Sequence, residues 1–384
     1  MRVLIVGGTG VISTAVVNEA VNQGVDVTCI NRGNNHGVKP NSHVKTMHFD
    51  VRNRKVADEH LLGLHYDVVV DFICFNANQV KYSLDLFHDK CNQYVFISTD
   101  SVYKLQKDGH YDENTPQSNP EWNYSYEKAE CEEIVRSYCK ENNLIYTIVR
   151  PSITYGNTRI PYGLMPQYGY HGTIIERIKA GKAIPTWNQG RNYQTVMRIE
   201  DFATGMIGLW GNEKAFNQDF GICGEIVTWG DILDAMEKAI GVKIKRQDVS
   251  LEQIFEVFPE RKGEFLIDRA EDHKVDNSKL KEAVTSFTIK YNLRSGIGKT
   301  VEYYKENNNL LGIDYRFDSK LDYLITLSTG RRDQTSFVKY GKYTLKDRFS
   351  YLVAPYDNCK LFKYSNALIR LPYRFARILF RIIK

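Results

Sequence analysis

The chain has 384 residues, of which 42% are hydrophobic and 25% charged, and its formal net charge is +5. This length suffices for one large domain or two unequal ones with a buried core. No apolar run of about eighteen residues occurs, which excludes a membrane span of ordinary length, and the first residues, MRVLIVGG, enter a strand-like run, so we expect a cytoplasmic protein without a signal peptide.

Near-continuous apolar runs alternate with helix-length segments in the first half of the chain. This pattern predicts a parallel sheet covered on both faces, the doubly wound (Rossmann) α/β class. The runs are RVLIVG (2–7), VDVTCI (25–30), VKTMHF (44–49), YDVVVDFI (66–73), QYVFIS (93–98) and LIYTIVR (144–150). We predict a dinucleotide-binding core over 1–150 and a smaller α/β substrate lobe over 151–312, from which the chain returns to the core.

A glycine turn, VGGTGVIS, joins the first strand to the first helix. Gly7 permits a tight turn, Gly10 lets the backbone approach a pyrophosphate, and the helix N-terminus supplies N–H groups and partial positive charge. Ser13 stands in the last place of the GxxGxxG pattern and is small enough for close helix–strand packing. An ordinary Gly-rich turn is the alternative, but strand, turn and helix in this order favour a dinucleotide site.

The second strand ends in INRG, with Asn31 and Arg32 where a carboxylate would bind the ribose 2′-hydroxyl of NAD. Arg32 can pair with a 2′-phosphate or lie over adenine, which favours NADP over NAD. The alternative is a solvated Arg32. Asp50 ends the third strand, where it can reach the adenine amino group or serve only as a turn or cap carboxylate.

The segment NYSYEKAE (123–130) contains two tyrosines and one lysine. Tyr124 and Lys128 are four residues apart and share a helix face, whereas Tyr126 and Lys128 do not. A nearby ammonium lowers the pKa of a tyrosine, which can then take a proton from a hydroxyl. YxxxK is common by chance, but Thr99, at the carboxyl end of a buried strand, lies where active sites of such sheets occur.

The motifs GGTGVIS, ISTDSVY, YSYEK, RPSITYG and DNSKL (276–280) occur in the order and spacing of a known family. Over about residues 1–310 the chain resembles the extended short-chain dehydrogenase/reductases, typified by UDP-galactose 4-epimerase, although DFICF stands where that family usually has HLAA. The resemblance implies bound NAD or NADP, Tyr124 as acid/base, Lys128 on the nicotinamide ribose and Thr99 as hydroxyl partner. The candidate cofactor-binding residues are Gly7, Gly10, Val11, Ile12, Asn31, Arg32, Asp50, Val51, Phe72, Ile73, Lys128, Pro151 and Ser152.

Two departures bear on the substrate. Sugar-nucleotide dehydratases that the chain resembles usually carry Thr-Asp-Glu after the fifth strand, whereas this chain has Thr99, Asp100 and Ser101, so 4,6-dehydration is disfavoured and Asp100 and Ser101 are substrate-binding candidates. The Arg that epimerases place before their VxD segment is replaced by Gln194. Arg191 and Arg198 lie close by and remain candidates for a substrate phosphate, with surface salt bridges as the alternative. Arg261 and Arg269 are weaker candidates of the same kind.

The last part of the chain differs in charge. Residues 313–384 hold 15 Lys+Arg against 6 Asp+Glu, whereas residues 1–312 hold 36 against 40, which predicts a basic, aromatic-rich extension. Within it, 365–384 separates apolar and basic stripes, as in an amphipathic helix that contacts a membrane peripherally, close to glycan assembly. The alternative is packing on the body or on a second subunit. Seven cysteines without ligand spacing indicate reduced thiols and no metal site.

The sequence is compatible with two functions. The first is an NAD(P)-dependent epimerase or 4-keto-sugar reductase acting on a nucleotide-linked sugar. The second is a dinucleotide- or RNA-binding protein on the same fold, for which the basic extension would suit phosphate contacts. Such proteins often lack the Tyr/Lys pair, so its presence favours an enzyme, and nucleic acid is not the expected partner. The resemblance further implies a homodimer formed through helices at 78–90 and 122–142.

Overall fold

The computed structural model describes residues 1–33, 43–117, 119–307, 312–330, 337–340 and 343–356. These residues form two compact units. The first contains the described residues of Met1–Gly163, Gly190–Ala239 and Lys262–Asn308, and the second those of Leu164–Gln189, Ile240–Arg261 and Asn309–Lys384. Among the described helices, none is long and apolar enough to cross a membrane.

Fourteen strands occur among the described residues. They are β1 Arg2–Val6, β2 Asp26–Asn31, β3 Lys45–His48, β4 Tyr66–Asp71, β5 Cys91–Ile97, β6 His110–Tyr111, β7 Ile145–Pro151, β8 Ile153–Tyr155, β9 Ile184–Thr186, β10 Tyr193–Arg198, β11 Gln218–Ile222, β12 Glu225–Thr228, β13 Arg246–Asp248 and β14 Lys274–Val275.

Thirteen α-helices occur in the same part of the chain. They are α1 Val11–Asn22, α2 Arg54–Leu61, α3 Ala77–Phe87, α4 Asn123–Glu141, α5 Gly172–Lys179, α6 Ile199–Ile207, α7 Trp229–Ile240, α8 Leu251–Val257, α9 Lys262–Glu264, α10 Ser278–Ala283, α11 Leu293–Glu306, α12 Tyr315–Thr329 and α13 Leu345–Val353. Helix α9 continues as a π-helical turn, Phe265–Arg269.

The first unit is built on a seven-stranded sheet with the order β11-β7-β5-β4-β1-β2-β3, in which every neighbouring pair is parallel. The predicted doubly wound parallel sheet is therefore confirmed. Each of the six predicted runs forms one of its strands, and β11 is a seventh strand that the sequence did not predict. Strands β8, β10 and β12 form a separate small sheet, and β6 pairs with β14.

Two hydrophobic cores lie on the two faces of the large sheet, and the side chains of β1 alternate between them. Val3 and Ile5 belong to the core that also contains residues of α1 and α6, and Leu4 and Val6 belong to the core with residues of α3 and α4. Because successive side chains of a strand point to opposite faces, a strand covered on both sides must be apolar throughout. This is why the strands read as continuous apolar runs.

Helix α4 is fixed to the sheet by a buried ion pair. Glu132 accepts two hydrogen bonds from the guanidinium of Arg150 on β7, at 2.9 and 2.6 Å. Arg150 also donates to Asp219 of β11 at 2.8 Å. Burial disfavours the Glu132 carboxylate, but Arg150 outweighs burial and lowers the pKa of Glu132 below its ordinary value. Glu133 is the next residue and its side chain is 74% exposed.

The second unit encloses a charge-balanced cluster of two cations and two carboxylates. Arg177 lies 2.7 Å from Asp318 and 2.8 Å from Asp322, and Lys182 lies 2.7 Å and 2.5 Å from the same two carboxylates. Tyr351 of α13 donates a hydrogen bond to Asp322. Thus α12 and α13, from the described part of the predicted extension, contain buried polar side chains. The predicted amphipathic helix at 365–384 lies outside the described residues.

Candidate active site

The glycine turn after β1 is shaped by a close backbone approach. Gly7 has a φ of +86°, and a Cβ at this position would lie 2.5 Å from Cγ2 of Ile73. The hydroxyl of Ser13 accepts from the Gly10 amide at 2.8 Å and donates to the Gly7 carbonyl at 2.7 Å. Ser13 therefore closes the turn, and the amides of Val11 and Ile12 in the first turn of α1 are the donors that the helix offers to an anion.

The polar residues predicted to contact the adenosine make local contacts. Asn31 Oδ1 accepts from the Gly33 amide at 3.0 Å and lies 2.9 Å from Nδ1 of His48. Arg32 is exposed. Asp50 is also exposed, and its Oδ1 accepts from the Arg52 amide at 3.0 Å, which corresponds to the turn-carboxylate alternative. The side chains of Asn31 and Asp50 thus stabilise turns by accepting hydrogen bonds from nearby backbone amides.

Val51 and Ile73 line a cavity of about 200 Å³. Two contacts hold its walls: Tyr82 donates to the carbonyl of Val51 at 2.7 Å, and Arg52 donates to the carbonyl of Ile73 at 3.1 Å. The Phe72 amide donates to the carbonyl of Val6, the last residue of β1, at 3.1 Å. The predicted residues after β4, Phe72 and Ile73, therefore border the glycine turn, and Val51 shares a cavity with Ile73.

Lys128 is buried on α4 and is held by backbone carbonyls. Its Nζ donates to the carbonyl oxygens of Cys74 and Ile97, both at 2.7 Å. The ammonium also lies 4.8 Å from the ring centre of Phe75 and 4.9 Å from that of Phe96. Burial lowers the pKa of Lys128. An ammonium has three donors, so two are used here and a third can serve a ligand.

Tyr124 and Tyr126 are partly exposed, whereas Lys128 is buried. Tyr124 is 37% exposed and Tyr126 is 52% exposed. The ring of Tyr124 packs against Trp122, with 5.5 Å between ring centres. Both lie in the first turn of α4, one helical turn or less before Lys128. The i, i+4 spacing keeps Tyr124 as the predicted acid/base residue.

Thr99 caps a short turn at the carboxyl end of β5 and is buried. Its hydroxyl lies 3.4 Å from Oδ1 of Asp100 and 3.2 Å from the hydroxyl of Ser101. Ser125 of α4 donates to the carbonyl of Ser101 at 2.6 Å. Residue 125 follows Tyr124 directly, so this contact fixes the start of α4 to the strand end that carries Thr99.

Of the other predicted residues, Pro151 and Ser152 lie at a strand end, whereas Arg198 makes contacts within the protein. Pro151 and Ser152 are buried at the end of β7, and the Ser152 amide donates to the carbonyl of Ile222 at 3.3 Å. Arg198 is buried, donates to the carbonyl of Gly296 at 2.7 Å and pairs with Glu200 at 2.8 Å. The salt-bridge alternative thus describes Arg198, whose own side chain is buried while that of Glu200 is 38% exposed. Arg191 is exposed.

The weaker arginine candidates and the unusual glutamine also make internal contacts. Arg261 donates to the carbonyl of Met165 at 2.7 Å. Arg269 pairs with Glu264 at 3.1 Å. Gln194 is buried and donates to the carbonyls of Asp268 and Glu271, at 3.2 and 2.9 Å. In place of the expected arginine, Gln194 therefore binds the backbone of a segment that lies beside Thr99.

That segment places two buried titratable side chains, Asp268 and His273, beside the turn after β5, and the sequence did not predict them. Oδ2 of Asp268 is 3.5 Å from the hydroxyl of Ser101. Nε2 of His273 is 3.5 Å from Oδ2 of Asp100. Both side chains are almost fully buried. Asp268 stands 167 positions after Ser101, and no spacing rule joins the two, although the acidic and basic residues of DRAEDHK (268–274), shortly before DNSKL, were a visible signal.

Burial and neighbouring charges shift the pKa values of this pair. Burial raises the pKa of Asp268, although Arg269 and His273 act in the opposite direction. Burial disfavours the charged form of His273, but the Asp100 carboxylate outweighs burial and raises the pKa of His273 above its ordinary value. Perturbed groups of this kind are typical of active sites.

Comparison with known proteins identifies the family. A model described as the NAD dependent epimerase/dehydratase family matches residues 3–223. A curated relative is the chloroplast stem-loop binding protein of 41 kDa b of Arabidopsis thaliana, 28% identical over 62% of this chain; the chain spans 63% of the length of that relative. Another is the low-salt glycan biosynthesis protein Agl12 of Haloferax volcanii, 24% identical over 79% of this chain and 98% of the relative.

A solved structure of similar fold and further curated relatives bear on two expectations. The dTDP-glucose 4,6-dehydratase of Bacillus anthracis, in complex with NAD, has a TM-score of 0.65, 19% identity, and coverage of 80% of this chain and 98% of that one. Further curated relatives are also dTDP-glucose 4,6-dehydratases. The expectation against 4,6-dehydration is therefore not supported. The expected preference for NADP is not shown either, because the similar enzyme holds NAD.

Proposed function

The chain belongs to the NAD-dependent epimerase/dehydratase family, and from this membership we propose that it oxidises or reduces a carbon of a nucleotide-linked sugar, as an epimerase or 4-keto-sugar reductase. The observation that carries the proposal is the position of Lys128. A buried ammonium with two donors held by strand-end carbonyls retains one donor for a ribose hydroxyl. This placement, one helical turn after Tyr124, suits the chemistry of the family.

The residues have separate roles in this proposal. Tyr124 acts as its phenolate, which the positive charge of Lys128 stabilises, and it becomes the neutral phenol when it takes the proton of the sugar hydroxyl. Thr99 holds the same hydroxyl by a hydrogen bond. A bound nicotinamide supplies the acceptor or donor of hydride. Pro151 and Ser152, at the end of β7, form the wall beside it.

The glycine turn supports the binding of a dinucleotide. A side chain at Gly7 would collide with Ile73, so glycine is required for the close approach of the turn to the segment after β4. Val11 and Ile12 present helix N-terminal amides, which suit a pyrophosphate. The exposed positions of Arg32 and Asp50 suit contact with the adenosine. We assign NAD or NADP as the cofactor without a preference.

The oxidised sugar can follow three routes. Return of hydride to the other face gives an epimer, reduction alone starts from a keto sugar, and loss of water gives the product of the 4,6-dehydratases among the relatives. The resemblance implies a glutamate for the last route where this chain has Ser101, but several relatives are dTDP-glucose 4,6-dehydratases, so the dehydratase route is kept as a third outcome of the test. The relative named for glycan biosynthesis is compatible with a product that enters polysaccharide assembly.

The decisive experiment is to denature the purified protein, identify any released nucleotide by mass spectrometry, and then supply a panel of nucleotide sugars. Tightly held NAD(H) with conversion of one sugar into its epimer supports an epimerase. Exchangeable NADPH or NADH that is consumed by a keto sugar supports a reductase. A protein that neither binds a dinucleotide nor converts a nucleotide sugar would contradict the proposal.

A second candidate is a nucleic-acid-binding protein, because one curated relative is named as a stem-loop binding protein. RNA binding that persists in Tyr124→Phe, without turnover by the wild type, would favour this candidate. Conversion of a sugar by the wild type and its loss in Tyr124→Phe would favour the enzyme. A homodimer formed through α3 and α4 stays a prediction, and light scattering in solution tests it.

A further inference from the structure

The hydroxyl of Thr99 has one proton and more than one acceptor for it. In the proposed function this hydroxyl donates a hydrogen bond to the sugar oxygen, which gains negative charge as Tyr124 removes its proton. The same hydroxyl lies 3.4 Å from Oδ1 of Asp100 and 3.2 Å from the hydroxyl of Ser101. Because a threonine hydroxyl donates a single hydrogen bond, an acceptor within the protein competes with the sugar. A charged carboxylate is the stronger of these two acceptors.

The other carboxylate oxygen of Asp100 faces a buried imidazole. Oδ2 of Asp100 is 3.5 Å from Nε2 of His273. Asp100 is 5% exposed and His273 is 2% exposed, so salt and water screen the interaction between them only weakly. Neither ring nitrogen of His273 makes a hydrogen bond among the described residues. The two side chains are therefore related by electrostatic attraction, which depends on the charge of His273.

The backbone and the ring of His273 are both fixed in place. Its amide donates to the carbonyl of Tyr193 at 2.8 Å, and its carbonyl accepts from the hydroxyl of Thr195 at 2.9 Å. The ring stacks on that of Tyr111, with 4.3 Å between ring centres, and burial raises the pKa of Tyr111 to about 12, so this phenol is neutral. A buried imidazole without a hydrogen bond costs stability, which indicates a role other than folding.

The surroundings of Asp100 contain more carboxylates than permanent cations. Arg269 lies 3.0 Å from Oδ2 of Asp268 and 3.1 Å from Oε1 of Glu264. Together with Asp100 these are three carboxyl groups around one guanidinium. A proton on His273 supplies a second positive charge, next to Asp100 itself. The local charge balance therefore favours the imidazolium form of His273.

We propose that His273, as an imidazolium ion, is a positioning residue for Thr99: it draws the charge of Asp100 toward Oδ2 and leaves the Thr99 proton for the sugar oxygen. The inference rests on the proposed function, because that oxygen belongs to the nucleotide sugar. His273 acts through Asp100, and Tyr124 stays the acid/base residue. With an uncharged His273, the carboxylate competes more strongly for the Thr99 proton, and the transition state of hydride transfer loses a hydrogen-bond donor.

The proposal gives a direction for the pH dependence of turnover. Burial acts against the charged form of His273, but Asp100 and Asp268 outweigh burial and Arg269, so that the pKa of His273 is raised above its ordinary value, near 6.5. The imidazolium is present below this raised pKa and is lost as pH rises through it. Turnover should therefore fall on the alkaline side. Tyr124, which acts as a phenolate, makes turnover fall on the acid side.

The test uses the full chain with NAD and a converting nucleotide sugar. His273→Gln removes the positive charge, Asp100→Asn removes the competing carboxylate, and a double variant joins the two changes. His110→Gln is the control, because His110 is exposed on β6, which pairs with β14 directly after His273. The first readout is kcat and KM as functions of pH. The second, independent of turnover, is the pH titration of the His273 ring followed by NMR.

His273→Gln should lower kcat by about tenfold or more, change KM little, and remove the alkaline limb that wild type shows. In the Asp100→Asn background the same change should have no further effect, because the two residues act on Thr99 in one path. In Asp100→Asn the pKa of the His273 ring should fall by about 1–3 pH units. His110→Gln should match wild type in turnover and in its pH profile.

Effects of His273→Gln and Asp100→Asn that multiply, or a wild-type pH profile in His273→Gln, would overturn the inference. A His273 titration that is the same in Asp100→Asn and wild type would overturn it too, and this measurement does not require the His273 variant to fold. If wild type converts no nucleotide sugar, the proposed function fails instead. The NMR titration then decides alone: a lower pKa of His273 in Asp100→Asn supports the charge pair, and an unchanged one refutes it.

Discussion

The Lys128 ammonium lies 2.7 Å from the carbonyl oxygen of Cys74, in the loop that follows β4. This loop carries the DFICF sequence, which departs from the pattern of the family. Because the contact uses the backbone of Cys74, it does not depend on which side chain stands there. The loop can therefore differ in sequence and still hold the lysine that the proposed chemistry needs.

Replacement of Lys128 by methionine tests this anchoring. We expect Lys128→Met to lower NAD affinity and to reduce the free energy of unfolding by about 1–3 kcal/mol, because two buried carbonyls lose their donor. Lys140→Met, at an exposed position of the same helix, is the control and should change neither quantity. Calorimetric titration with NAD and denaturant unfolding measure the two effects. Unchanged NAD affinity in Lys128→Met would remove Lys128 from the cofactor site.

Two tyrosines in the first turn of α4, Tyr124 and Tyr126, provide a matched pair of variants for testing catalysis. Tyr124→Phe should lower turnover by roughly two to four orders of magnitude, because it removes a positioned acid/base group, and should leave NAD binding nearly unchanged. Tyr126→Phe removes the same atom two positions along the helix and should have a small effect. Steady-state kinetics with a converting nucleotide sugar measure both. Equal activity of the two variants would contradict the assignment of Tyr124.

A pair of glycines allows the effect of a steric collision on binding to be separated from the effect of backbone strain on stability. Gly7 and Gly24 both have positive φ, +86° and +76°, but a Cβ would meet Ile73 at 2.5 Å in the first case and nothing within 4 Å in the second. Both alanine variants should lose about 1–2 kcal/mol of stability from left-handed strain. Only Gly7→Ala should also weaken dinucleotide binding, measured by titration. Equal NAD affinity in the two variants would argue against a pyrophosphate at this turn.

The Glu132–Arg150 pair predicts acid sensitivity. The pKa of Glu132 is lower in the folded than in the unfolded chain, so its contribution to stability is complete above the unfolded value, near 4.3, and is lost as pH falls through the folded value. Glu132→Gln should cost about 3–5 kcal/mol at neutral pH, because the Arg150 charge stays buried with one partner fewer.

The loss of folding stability at acid pH should also be smaller in Glu132→Gln than in wild type, by the part that protonation of Glu132 causes. Glu133→Gln, at the exposed neighbouring position, should stay within about 0.5 kcal/mol of wild type. Urea unfolding over a range of pH measures both variants. The same pH dependence in Glu132→Gln and wild type would show that the pair does not contribute.

The cluster of the second unit predicts a large effect for one carboxylate. Asp322→Asn leaves Arg177 and Lys182 with a single buried carboxylate, Asp318, and should destabilise this unit by about 3–5 kcal/mol. The control is Glu176→Gln, which removes a partly exposed ion pair with Lys179 and should have little effect. Thermal unfolding followed by protease sensitivity at residues 312–356 measures the difference. An unchanged midpoint in Asp322→Asn would refute a stabilising cluster.

The sequence predicted the elements whose signal is local. Continuous apolar runs identified six strands of the sheet, because a strand covered on both faces needs apolar side chains at every position. The strand β11 was missed because Asp219 and Gly221 interrupt its apolar pattern, and the partners of Asp219 are Arg150 and Arg136, about 70 and 80 residues earlier. A residue whose partner is distant in sequence carries no periodic signal.

The candidate site shows the same difference between residues with a local sequence signal and residues whose partners are distant in sequence. The spacing of Tyr124 and Lys128 favours one tyrosine, since helix geometry relates the two positions directly, and this choice stays a prediction. Asp268 and His273 were not found, because only the tertiary fold brings their segment to Asp100 and Ser101. Arg198 was expected to reach a phosphate, and only the structure shows its contacts with Gly296 and Glu200.

Ser13 has a consequence for how tightly a dinucleotide can be held. Its two hydrogen bonds, to Gly7 and Gly10, join the ends of the turn through this chain's own atoms. The turn is thus preorganised: its conformational entropy is lost when the protein folds, and an arriving pyrophosphate does not have to order it. Preorganisation of this kind lengthens the residence time of a ligand mainly by slowing its release.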